Sequence, residues 1–150
     1  MIESIRATEA RVSHLTIEQR AAARVPCALL GRDGACTIHV FRPIGCRSWT
    51  SFDREACDAA LRDARPGHTG PQDHANYVAA GCLTEGLQLA CGDAGLMADH
   101  REFHAALLVA LTRPDAVNHF VSGGAVFDEC PRVISESLRT RGHQAGLPPE

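Results

Sequence analysis

Apolar residues recur along most of this chain at steps of three and four, and the step shortens to two only between residues 27 and 41. The first spacing belongs to helices with one buried face, the second to strands. At the N-terminus Ile5, Val12, Leu15 and Ile17 mark a shallow helical face. Thr16 followed three residues later by Gln19 has the form of a capping box, in which the hydroxyl accepts from the first turn and the amide reaches back. A helix is therefore expected from Ile17 to Arg24, stopped near Pro26 because proline disfavours helix at the residue before it.

Residues 27–41 predict a β-hairpin. Arg32-Asp33-Gly34 supplies the turn, where Gly34 takes positive φ without steric cost. On the second strand Cys36, Ile38 and Val40 fall on one face and Thr37, His39 and Phe41 on the other. A two-stranded hairpin is marginal in water, so helices behind it or an ion must hold it. Arg42-Pro43 takes the chain out of the ladder, since Pro43 has no N–H to donate. Ile44 to Thr50 is expected to be an irregular connector. Ser51 is the expected N-cap of a helix running to about Arg62, with Asp53 and Glu55 near the positive end of its dipole.

Beyond a loop at Ala64 to Pro71, Pro71 is placed to open a helix. Its expected buried face is Tyr77, Ala80, Thr84, Leu87 and Cys91, and Gly92 to Gly95 ends it. Asp99 and Glu102 have capping-box spacing before a helix with Phe103, Leu107, Ala110 and Leu111 on its face. Pro114 begins a short further helix that Gly123 terminates. Residues 124–150 show little periodicity, and the last ten are expected to fray. The pattern as a whole predicts one mainly α domain over residues 1–150. A small β-hairpin lies at its cysteine-rich core (27–57), and a helical packing region follows (71–130).

Composition narrows the function. Net charge is −3 and the pI about 6.2, so no basic footprint for nucleic acid exists. No apolar run reaches bilayer length and no signal pattern opens the chain, which reads as cytoplasmic with no membrane partner. Seven cysteines in 150 residues is a high and odd number. In a reducing compartment clustered cysteines serve as metal ligands or redox thiols more often than as disulfides.

Four of them, Cys27, Cys36, Cys46 and Cys57, fall one on each hairpin strand, one in the connector and one near a helix start. Such elements can converge on one point, and four thiolates there match tetrahedral zinc or an iron site. Arg42 and Arg47 flank the group with positive charge, which stabilises thiolates. The bland reading of the same cysteines is as small buried apolar residues, which free cysteine often is. His39, on the opposite strand face, is expected to pack or hydrogen-bond. His100 and His104 have the i, i+4 spacing of a zinc pair but lack the glutamate of H-E-x-x-H, and read better as solvated. Cys82 and Cys91 read as core thiols and Cys130 as a stray reactive one. No G-x-S-x-G, P-loop or G-x-G-x-x-G occurs, and no catalytic residue is assigned.

Pro26-Cys27, Asp33-Gly34, Cys36-Thr37-Ile38-His39, Arg42-Pro43 and Cys46-Arg47 resemble, in this order, the bacterial YkgJ-like cysteine-cluster family, described as zinc- or iron-chelating. Ser51, Cys57 and the helical stretch Leu107 to Phe127 fit its continuation, so the resemblance covers roughly residues 16–130. The family's C-x-x-x-C-x-x-C-C element has no counterpart in these residues, and His39 stands where the family has Tyr. The resemblance implies zinc or iron held by Cys27, Cys36, Cys46 and Cys57. An alternative is an iron–sulfur or thiol-redox oxidoreductase, although the absence of any C-x-x-C argues against thioredoxin-like exchange. A second is a helical interaction domain whose cysteines only pack. Flagellin lysine methylases carry a similar cluster, but nothing here marks a methyl-donor pocket.

Overall fold

In a computed structural model of the chain, residues 1–62 and 72–133 are described. They form α1 (Ile2–Val12), α2 (Ile17–Ala23), α3 (Ile44–Ser48), α4 (Arg54–Arg62), α5 (His74–Asp93), α6 (Phe103–Thr112) and α7 (Ala116–Val121). A 3-10 turn at His39–Phe41 precedes α3. The backbone divides into two compact units. One holds Met1–Leu29, Asp99–His119 and the segment from Ala125 onward; the other holds Leu30–Ala98 and Phe120–Gly124. The expected loop at Ala64 to Pro71 and the expected fraying of the last ten residues lie outside the described residues.

In the first unit α1 buries Ile5, Thr8 and Val12, three positions of one helical stripe, and packs on α6. The capping box of α2 is complete: the Gln19 N–H donates to Thr16 Oγ1 at 3.2 Å and the Thr16 N–H to Gln19 Oε1 at 3.0 Å. The helix closes on Arg24 in the left-handed region at φ 49°, two residues before Pro26. Ile17 is half exposed rather than part of the α1 face. The cap of α6 is Glu102, not Asp99; the Ala105 N–H donates to its Oε2 at 2.8 Å. This start turns His104 and Ala105 inward and leaves Ala110 and Leu111 exposed, so the predicted face is out of phase.

Residues 124–133 hold together by backbone pairing rather than by helical periodicity. The Glu102 N–H donates to the Pro131 carbonyl at 2.8 Å and the Val133 N–H to the His100 carbonyl at 3.1 Å, on either side of an Arg101–Arg132 bridge. Arg101 adds donation to the Cys130 carbonyl at 3.0 Å. Val126 and Cys130 are buried as a result, so Cys130 is not the exposed thiol expected from sequence.

In the second unit the turn forms and the hairpin does not. Gly34 takes φ 77°, the Ala35 N–H donates to Asp33 Oδ1 and the Gly31 N–H to the Ala35 carbonyl. Pairing then stops after one bridge, Leu30 to Cys36, and no strand occurs among the described residues. The would-be second strand curls: the His39 N–H donates to the Cys36 carbonyl and the Phe41 N–H to the Ile38 carbonyl. Arg47 fixes this curl by donating to the Val40 and Arg42 carbonyls. Two short segments with prolines nearby at both ends present too little ladder to hold a hairpin.

The expected connector is partly helical, with Pro43 at the N-cap of α3. Asp53 caps α4 through the Ala56 N–H at 2.9 Å, while Ser51 accepts from the Asp53 N–H in a local turn. Asp73 caps α5, and the helix begins at His74. Asn76 ties α5 to α3, donating to the Arg47 carbonyl at 2.8 Å and to Thr50 Oγ1 at 2.9 Å. Ala80 is buried on α5, whereas Tyr77, Leu87 and Cys82 are exposed, which corrects the expected face and the reading of Cys82 as a core thiol.

Thr16→Ala removes one arm of the α2 box and is expected to cost about 1 kcal/mol. The measurement is the urea midpoint followed by far-UV circular dichroism. An unchanged midpoint would show that α2 is held by packing alone.

Candidate functional site

The first unit gathers four side chains from distant parts of the chain: Arg20 on α2, Cys27 on the segment after it, Glu102 at the cap of α6 and His104 in its first turn. Glu102 divides its carboxylate. Oε2 accepts the capping N–H of Ala105, and Oε1 accepts from Arg20 Nη1 at 2.7 Å and lies 3.0 Å from His104 Nδ1. The far side of the imidazole faces the segment after α2. Nε2 lies 3.4 Å from the Ala28 N–H donor and 3.8 Å from Cys27 Sγ. His104 and Glu102 are almost completely buried, at 1% and 4% exposure, while Cys27 is exposed. A buried base thus meets a thiol at the surface.

The hydrogen-bond partners assign the tautomer of His104. With the proton on Nδ1 the ring donates to Glu102 and Nε2 accepts from Ala28. The opposite placement would set a ring lone pair against a carboxylate oxygen and an N–H against an N–H. Arg20 Nη2, 3.0 Å from Nδ1, favours that opposite placement, but Arg20 already has Glu102 as its acceptor. Assigned from these partners, the bare nitrogen is Nε2, the one beside Cys27.

Burial pushes the Glu102 carboxyl up, but hydrogen bonds from His104, the Ala105 N–H and Arg20 outweigh it and bring it down from 4.5 to about 2. Burial pushes the Cys130 thiol in the opposite sense from reactivity, upward, against the smaller pull of Arg101 and Arg113.

The sequence candidates fall on both units. Cys27 belongs to the first unit, and Cys36, Cys46 and Cys57 to the second. Cys36 is half-buried at the single bridge, Cys46 exposed on α3, and Cys57 half-buried in the first turns of α4. None of the seven cysteines is in a disulfide. Among the described residues no three or more His, Cys, Asp or Glu side chains assemble as a metal cage. Arg42 donates to the His39 carbonyl, and Arg47 to the Val40 and Arg42 carbonyls. His39 is exposed at the start of that turn.

His100 lies before α6 begins, so it does not share a helix face with His104. His104 is not the solvated residue expected from sequence. Its role, and that of Arg20, was missed. Glu102 was expected only as the reciprocal arm of a cap on Asp99. The spacing Glu102-x-His104 is a visible signal, but Arg20 and Cys27 lie 82 and 77 residues from their partners, a separation that no local pattern encodes.

A depressed carboxyl stabilises the fold above its unfolded pKa. For Glu102 that contribution, about 3 kcal/mol at neutral pH, is expected to fade as pH falls from about 4.5 through about 2. Glu102→Gln should remove most of this slope and lower stability at neutral pH by a similar amount. Denaturant titrations of both proteins across that range test it; parallel pH profiles would contradict it.

No family model, curated protein or solved structure matches this chain.

Proposed function

We propose that this protein binds zinc or iron through cysteine thiolates, with Cys27, Cys36, Cys46 and Cys57 as the ligand candidates. The observation that carries the reading is the surroundings of Cys27. Cys27 is an exposed residue, as an ion's entry path requires, and an imidazole nitrogen, a type of atom that ligates metals, stands 3.8 Å from its Sγ. The resemblance of residues 16–130 to the YkgJ-like family supports the same chemistry. The donors assembled among the described residues of either unit do not amount to the closed four-ligand cage of a structural zinc site. An open, exchangeable site is the form that fits them.

Such a site does not hold up the fold. The helices of the first unit are joined by apolar burial and by the Glu102 network, so metal removal should leave the secondary structure in place.

Protein purified under reducing conditions without chelator is expected to carry zinc or iron, up to about one ion per chain. Dialysis against a chelator should remove the ion while the helical circular dichroism persists. Replacing all four candidate cysteines by Ser should abolish metal uptake. Metal-free protein whose thermal midpoint does not respond to added zinc or ferrous iron would overturn the reading. A brown protein bleached by dithionite would favour the iron–sulfur alternative.

A further inference from the structure

We infer that His104 is itself a metal ligand beside Cys27, that Glu102 and Arg20 are positioning residues for its ring, and that the ion this pair takes is zinc. The inference rests on the metal-binding reading and adds to it a nitrogen donor that the cysteine pattern does not contain.

The distance fits. Zinc bonds of about 2.3 Å to sulfur and about 2.0 Å to imidazole nitrogen, at a tetrahedral angle, set the two donor atoms about 3.6 Å apart. Cys27 Sγ and His104 Nε2 are 3.8 Å apart. The tautomer fits as well. A metal needs a bare nitrogen, and the proton of His104 is held on Nδ1 by Glu102, 3.0 Å away. Histidine ligands commonly donate their other ring N–H to a carboxylate, which fixes the ring and raises its basicity.

The competing bond to Nε2 is long: the Ala28 N–H donor is 3.4 Å away, so little is lost when an ion takes its place. Charge runs in the right direction. Arg20 and Glu102 cancel as an ion pair at 2.7 Å, leaving a neutral imidazole and one thiolate to face a dication. Burial of the ring against exposure of the thiol gives the ion one rigid donor and one accessible donor.

The donor set selects among the metals. An iron–sulfur cluster is ordinarily built on four cysteine thiolates, whereas one thiolate with one imidazole suits a borderline-soft dication such as zinc. The pair leaves the remaining coordination positions to water or to ligands from outside it.

The test uses the whole chain, stripped with chelator under reducing conditions and titrated with cobalt(II), a coloured stand-in for zinc, and with zinc itself. Wild type should develop a thiolate-to-cobalt charge-transfer band. His104→Gln should weaken binding by more than about tenfold, and Glu102→Gln by about 10- to 100-fold. Cys27→Ser, a change at an exposed position, should keep its helical circular dichroism and weaken cobalt binding, whereas Cys82→Ser should behave as wild type. A readout that needs no variant is the Nε2 resonance of His104 in the 15N spectrum of wild type, which should shift on adding zinc.

Cobalt binding by wild type with no movement of the His104 resonance, or with His104→Gln folded and binding as tightly, would overturn the mixed site and leave thiolate metal binding standing. Wild type that takes up neither ion would overturn both.

Discussion

The carboxylate of Glu102 is the hub on which the first unit turns. It caps α6 through the Ala105 N–H, pairs with Arg20 of α2 and holds the imidazole of His104, while the residue's own N–H bonds the returning segment at Pro131. Three stretches of chain remote in sequence thus meet at one residue. Burying a carboxylate is costly by several kcal/mol unless nearly all its lone pairs are satisfied. Here three donors, from His104, Ala105 and Arg20, outweigh the cost of burial and hold its pKa down. Removing any one donor leaves a buried charge short of a partner, so the network ties the stability of the unit to one arrangement of these side chains.

The second unit uses side chains differently. Where a β-ladder would have satisfied the backbone, Arg47 donates to the carbonyls of the 3-10 turn and Asn76 to those at the end of α3. Trp49 packs edge-on against Tyr77 with ring centroids 6.0 Å apart. The polar bonds come from long or forked side chains that span from helix to loop, which is how a segment too short for a sheet still keeps its backbone groups paired. That scaffold places this unit's candidate cysteines: Cys36 at the single bridge, Cys46 on the short helix α3, Cys57 early in α4.

Local signals in the sequence were legible where the physics is local. The α2 capping box, the Gly34 turn, the stop at Gly123 and the mainly helical character all follow from a few adjacent residues, and all are present. The hairpin failed because two-residue alternation over so short a run is outweighed by 3-10 hydrogen bonds once Arg47 is there to fix the curl. The phase of α6 failed because Asp99 and Glu102 are both competent caps, and the choice between them was made by Arg20 and Pro131, partners no window contains. The candidate site divides in the same way. Cys27 stands out in the sequence as a candidate, while the ring and carboxylate behind it belong to long-range packing.

On this account Glu102 fixes the proton of His104 on Nδ1 and thereby turns a bare Nε2 toward Cys27. Long-range 1H–15N correlation of the His104 ring at neutral pH tests it most directly in metal-free protein. A dominant Nδ1–H tautomer, with that proton slow to exchange, is the result expected. An Nε2–H tautomer, or a ring averaging between the two forms as an exposed histidine does, would contradict it.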